Sequence, residues 1–140
     1  MKIAVIDGLG GGLGSQIVTS FNNTFGNSVK LIALGTNSAA TTKMINKGAD
    51  RGATGENAIR VTVKKVDIIT GPLGIIIPNS MHGELTQVMV EAITSSSAAR
   101  FLLGIKQPHI ELIGIREDTS INDLIDELTE KVELYIKKES

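Results

Sequence analysis

The stretch V-I-D-G-L-G-G-G-L-G-S-Q, Val5 to Gln16, gathers glycine where a strand gives way to a helix. Glycine loses more conformational freedom on folding than any other residue, so a run of it marks a place where a side chain would obstruct something. Two templates fit. Gly8, Gly10 and Gly14 match G-x-G-x-x-x-G, and Gly8, Gly12 and Gly14 match G-x-x-x-G-x-G. In both, glycine lets backbone amides approach a phosphate, while the following helix offers unpaired N–H groups and partial positive charge. The phosphate contacts expected from this pattern are Asp7, Gly8, Gly10, Gly11, Gly12, Leu13, Gly14 and Ser15. The rival reading is a tight turn with no ligand.

Asp7 complicates the first reading, because a carboxylate beside a bare diphosphate repels it. It either takes a ligand role, on a metal ion or a ribose hydroxyl, or accepts hydrogen bonds from the glycine-loop amides. The second strand also lacks the terminal acid that meets the ribose in NAD-type folds. Gly35, Thr36, Asn37 and Ser38 stand there instead. They suit a 2′-phosphate, which favours NADP over NAD, or they cap the next helix.

Further loops should fall at the same sheet edge, where parallel α/β proteins bind ligands. Thr54 and Gly55 follow the third strand; Gly71, Pro72 and Gly74 follow the fourth, with P-N-S-M-H-G-E just beyond. Candidate catalysts are His82, Glu56 and Asp7. Three signatures are missing. Tyr135 has no lysine four residues on, no lysine follows the glycine loop, and no His-Glu-x-x-His occurs. No metal site is expected.

These residues need elements to hold them. Lys2–Ile6 reads as a buried strand, and Leu13, Ile17, Val18, Phe21 and Phe25 recur at helical spacing. Val29–Leu34 is a second strand, Ser38–Lys47 a short helix, and A-D-R-G-A-T a very short strand. Ala58–Val66 fits helix or strand, and helix is preferred because a crossover must precede the strand Val66–Thr70. Ile75–Ile77 should extend that strand. Leu85, Val88, Met89, Ala92 and Ile93 form a helix face; Arg100–Ile105 and Ile110–Ile115 read as strands. The last helix carries Ile121, Leu124, Ile125, Leu128, Val132 and Tyr135 on one stripe, capped by Thr119 or Ser120. The alternation predicts an α/β three-layer Rossmann-like sandwich, one domain over residues 1–140, with a mainly parallel sheet of five or six strands.

Composition narrows the function. The 140 residues carry 14 basic and 15 acidic side chains, a net charge of −1. No field draws in nucleic acid or anionic lipid. Aromatics at 3% leave few base-stacking platforms. The absence of cysteine removes thiolate chemistry and disulfides. No signal pattern or spanning run appears, so a cytoplasmic protein is expected.

The runs K-I-A-V-I-D-G-L-G-G-G-L-G, A-L-G-T-N-S-A-A-T, G-A-T-G-E-N-A-I, D-I-I-T-G-P-L-G-I-I-I-P-N-S-M-H-G-E-L-T and I-E-L-I-G-I resemble an uncharacterised bacterial family, a small domain of unknown function. The resemblance spans nearly the whole chain. It implies a stand-alone Rossmann-like protein and carries no activity or site residues. The glycine stretch is also similar to the cofactor loop of short-chain dehydrogenases, over the first βαβ unit only. Three functions stay open: binding of a nucleotide or NAD(P)-like dinucleotide, a small enzyme acting on a phosphorylated or carboxylated metabolite, and a ligand-free interaction subunit. The apolar G-I-I-I-P-N-S-M segment suggests a homodimer patch.

Overall fold

The computed structural model describes residues 1–140. Strand β1 (Lys2–Asp7) alternates its side chains between two cores. Ile3 and Val5 enter one, Ala4 and Ile6 the other. β2 (Lys30–Gly35) and β4 (Ile68–Pro72) do the same, which is why these strands read as continuous apolar runs. β3 (Arg51–Thr54) and β5 (Ala99–Leu103) are the edges. All five strands are parallel, in the order β3-β2-β1-β4-β5.

Helices α1 (Gly12–Phe25) and α5 (Ile121–Glu139) cover one face through Ile17, Val18, Phe21, Ile125, Leu128 and Val132. Met44 of α2 (Ser38–Asn46) joins the same core. α3 (Glu56–Thr62) and α4 (Gln87–Ser95) cover the other with Ile59, Met89, Val90 and Ile93. The result is a three-layer Rossmann-like sandwich. The chain winds outward from β1 to β3, then crosses back to β4 on β1's other side. The gap between β1 and β4 is therefore the topological switch point, where open α/β sheets bind ligands at the carboxyl ends of their strands.

Two expected strands are absent. Leu73–Ile76 is a 3-10 turn rather than an extension of β4. β4 already reaches the sheet's carboxyl edge at Pro72, beside Leu103 of β5, and the turn tucks Ile75 fully into the core. Ile110–Ile115 forms no strand: a bend at Gln107–Ile110 turns it back from β5, and no neighbouring strand offers it a ladder. Alternation alone cannot supply that partner. On α4, Val88 is exposed and the buried stripe is Met89, Val90 and Ile93, while Leu85 is buried just before the helix. The ambiguous segment is a helix, ending at Thr62 rather than Val66. Ser120, not Thr119, caps α5, its hydroxyl accepting the Asp123 amide at 3.1 Å. No helix is long and apolar enough to cross a membrane.

Candidate functional site

Asp7 ends β1, and its buried carboxylate is fully engaged by the loop it begins. Oδ1 accepts the Gly8 amide at 2.8 Å and Oδ2 the Gly14 amide at 2.6 Å. Gly14 lies in the first turn of α1, so the carboxylate satisfies one of the helix's orphan donors and sits in the positive end of its dipole. Burial raises the Asp7 pKa; the Gly14 and Gly8 amides pull it down, and the charge of Glu84 pushes it up again. Of the two roles open in the sequence, the geometry shows the loop-fastening one.

The glycines of the loop divide by what surrounds them. Gly14 permits a close approach: a β-carbon there would lie 2.7 Å from Met44 Sδ and 2.8 Å from Asp7 Cβ. Gly11 is left-handed (φ 72°), and its β-carbon would meet the Ala40 backbone at 2.7 Å. Gly10 and Gly12 are different. Nothing lies within 4 Å of a β-carbon on Gly10, and only Lys43 Nζ, at 4.0 Å, approaches one on Gly12. No packing requirement explains glycine at these two positions. The amides of Gly12 and Leu13, at the start of α1, donate to no protein acceptor.

Gly8–Leu13 and Asp7 floor a cavity of about 580 Å³ at the β1/β4 switch point. Its walls are Pro72, the Ile77–His82 loop, and Ile105, Gln107, Pro108 and Ile110 beyond β5. Several wall residues hold a left-handed backbone without being glycine: Leu9 (φ 52°), Asn79 (φ 67°), Met81 (φ 55°) and His82 (φ 57°). Each such residue costs of order 1–3 kcal/mol, and strain of this kind clusters at ligand sites.

Glu84 ties the β2 side shut. Its Oε1 accepts from Thr36 Oγ1 at 2.5 Å, the Leu9 amide at 2.8 Å and Asn37 Nδ2 at 3.0 Å. The Thr36 hydroxyl bond is the main cause holding the Glu84 carboxyl below its usual range; burial opposes it, and the Leu9, Asn37 and His82 contacts assist. The acid missing from the end of β2 is thus supplied by a loop nearly fifty residues away in sequence. The reason for preferring NADP, an acid-free β2 end, does not survive.

Of the residues expected at a ligand, Asp7, Gly8, Gly10, Gly11, Gly12, Leu13, Pro72 and His82 line the cavity. Gly14 and Ser15 lie beneath it; the Ser15 hydroxyl turns back to Gly12 O at 2.8 Å. Gly35, Thr36, Asn37 and Ser38 fall outside it, with Asn37 Oδ1 capping α2 through the Ala40 amide at 2.9 Å. Thr54 bonds Thr41 at 2.7 Å, and the Gly55 amide bonds Gly35 O at 2.9 Å, away from the cavity. Glu56 meets Thr86 Oγ1 at 3.3 Å, linking α3 to α4. Gly71 and Gly74 are buried behind Pro72, with Gly74 O accepting from Ser80. The sequence reading missed Lys43, Ile105, Gln107, Pro108 and Ile110. The last four lie in segments read as strand or connector, and Lys43 sits on a helix with no motif around it.

In the G-I-I-I-P-N-S-M segment only Pro78 and Asn79 are exposed. Ile75 is in the core, and Ile77–Met81 form cavity wall. Exposed apolar surface appears instead at Ile110, Ile113 and Ile115, with Ile113 94% exposed.

No curated protein matches the sequence. Among solved structures, a dodecameric FMN-dependent UbiX-like decarboxylase from Escherichia coli O157:H7 is similar with a TM-score of 0.47 and 13% identity, over 98% of this chain and 94% of that one. A likeness this distant says nothing about the ligand or activity of the present chain. Residues 2–137 match the family model described as Domain of unknown function (DUF3842), and the chain belongs to that family.

Proposed function

We propose that the protein binds a phosphate-bearing small molecule at the β1/β4 switch point. The phosphate sits at the N-terminus of α1, and the rest of the ligand lies in the cavity against Pro72, Ile77, Ile105 and Ile110. One observation carries this reading: the helix-start amides of Gly12 and Leu13 have no acceptor, both residues line the cavity, and packing requires glycine neither at Gly12 nor at nearby Gly10. Helix N-termini with this geometry favour anions. Lys43 Nζ adds a cation within reach of Gly12. A nucleotide suits the combination of an anion site and an apolar wall. NADP and NAD stay finer expectations from the glycine pattern, and the Glu84 carboxylate speaks against a 2′-phosphate on the β2 side.

The test is thermal stabilisation by inorganic phosphate, nucleoside monophosphates, flavin nucleotides, NAD and NADP, each repeated on Gly12→Ala. A ligand at about 100 times its dissociation constant stabilises by about 2.7 kcal/mol, a shift of several degrees here. A shift lost in Gly12→Ala supports the site. No shift with any compound overturns it.

The enzymatic alternative rests on His82, which lines the cavity two residues from Glu84. Turnover of a ligand found by the screen, lost in His82→Ala with binding retained, would favour it. The homo-oligomer expected from the sequence moves to the Ile110–Ile115 face. Self-association measured by light scattering and abolished by Ile113→Ser would support it there; a monomer in both would remove it.

A further inference from the structure

A dinucleotide lies across both halves of a Rossmann-like edge. Its diphosphate sits at the helix start, one nucleoside runs toward the end of β2, and the other toward the β1/β4 side. In this chain the two sides differ. The β1/β4 side is an open cavity of about 580 Å³. The β2 side is filled by the chain's own loop.

Three observations show the filling. A β-carbon on Gly8 would meet Thr36 Oγ1 at 2.5 Å, Met81 Sδ at 2.7 Å and Glu84 Oε1 at 2.9 Å, so protein atoms already crowd the surface over the first glycine. The polar groups at the β2 end are consumed. Thr36 Oγ1 and Asn37 Nδ2 both donate to Glu84 Oε1, Asn37 Nδ2 also donates to Leu9 O at 2.8 Å, and Asn37 Oδ1 caps α2. Finally, the loop that brings Met81 and Glu84 is held in consecutive left-handed conformations at Met81, His82 and Gly83, a costly backbone that the surrounding contacts must enforce.

We infer that Met81 and Glu84 close the β2 half of the site, so that it accepts a phosphate monoester with a single ring system and rejects the adenylate half of a dinucleotide. This rests on the phosphate-site reading above. Glu84 acts by occupying the ribose position with its own carboxylate and its three donors; Met81 acts by filling the space above Gly8. A ligand with one nucleoside places its phosphate on Gly12 and Leu13 and its ring in the open cavity. A second nucleoside must break the Glu84 contacts to enter.

The test compares ligands that differ only by an adenylate. Dissociation constants are measured for FMN against FAD by flavin fluorescence, and for NMN against NAD by calorimetry, with inorganic phosphate as the common probe. Wild-type protein should bind the mononucleotide of at least one pair about tenfold or more tightly than its dinucleotide, the size of discrimination that shape alone supplies. Glu84→Ala and Met81→Ala should narrow that ratio, and Thr36→Val, which removes one of the three donors holding Glu84, should narrow it with both side chains still in place. Unliganded melting temperatures and circular dichroism report whether each variant is folded. Equal affinity within both pairs in the wild type overturns the inference and leaves the phosphate site standing. So does a ratio unchanged in every folded variant, or binding of phosphate with neither mononucleotide. Failure of all five probes, phosphate included, overturns the site itself.

Discussion

Alanine at Gly12 and alanine at Gly14 should have opposite consequences, although the two residues are neighbours in one motif. At Gly14 the new methyl would lie 2.7 Å from Met44 Sδ, 2.8 Å from Asp7 Cβ and 3.0 Å from Asp7 Oδ2. Met44 is fully buried, and the Asp7 carboxylate is pinned by two amides. Overpacking of this kind costs about 1–3 kcal/mol. Displacing Asp7 from the Gly14 amide adds about 1.5–3 kcal/mol if the charged hydrogen bond is lost. The better helix propensity of alanine returns at most about 1 kcal/mol. The net loss is about 1.5–6 kcal/mol, or a melting temperature lower by roughly 5–20 °C. At Gly12 the nearest atom is a flexible lysine nitrogen at 4.0 Å, and the residue is helical. Alanine there should leave the unliganded protein as stable or up to about 0.5–1 kcal/mol more stable. Thermal denaturation of both variants without ligand reads the difference. A Gly12→Ala protein destabilised as much as Gly14→Ala would refute the division of the loop into packing glycines and open ones.

Asp7→Asn should destabilise by about 1–3 kcal/mol, because an amide presents one acceptor to two loop N–H donors; urea denaturation checks it, and equal stability would show that the carboxylate is not fastening the loop. The pKa shifts give a second, signed test. Asp7 is raised above its usual 3.8, so its folded form holds the proton more tightly, and wild type should gain on the Asn variant as pH falls from neutral through the raised pKa toward 3.8. Glu84 is lowered below its usual 4.5, so the advantage of wild type over Glu84→Gln should hold above 4.5 and fade as pH falls through the lowered value. Stability curves of the three proteins between neutral and acid pH decide both signs. Lys43→Ala should weaken phosphate binding by roughly threefold, with the difference shrinking at high salt, since the lysine is a solvent-screened contributor.

The fold was legible in the sequence because each central strand is apolar on both faces, which only a sheet buried on both sides requires. The glycine loop was legible for the same local reason, since its spacing between strand and helix is a short-range property. What was not legible depended on distant partners. Ile110–Ile115 alternates like a strand, but no ladder waits beside β5. Ile75–Ile77 is apolar enough for a strand, but β4 has already reached the sheet edge. The acid at the β2 end could not be found by looking after β2, since Glu84 arrives from the loop before α4. The cavity wall beyond β5 carries no residue type that announces a ligand, so only the three-dimensional arrangement brings Ile105 and Gln107 opposite the glycine loop.

A phosphate bound at the start of α1 must perturb the amides it accepts from. Amide NMR spectra titrated with inorganic phosphate and with a nucleoside monophosphate test it residue by residue. The Gly12 and Leu13 amides should move most, with one dissociation constant, and Gly12→Ala should abolish the response while its spectrum stays that of a folded protein. Amides that stay fixed up to about 10 mM ligand, where a millimolar site would be largely filled, would contradict it.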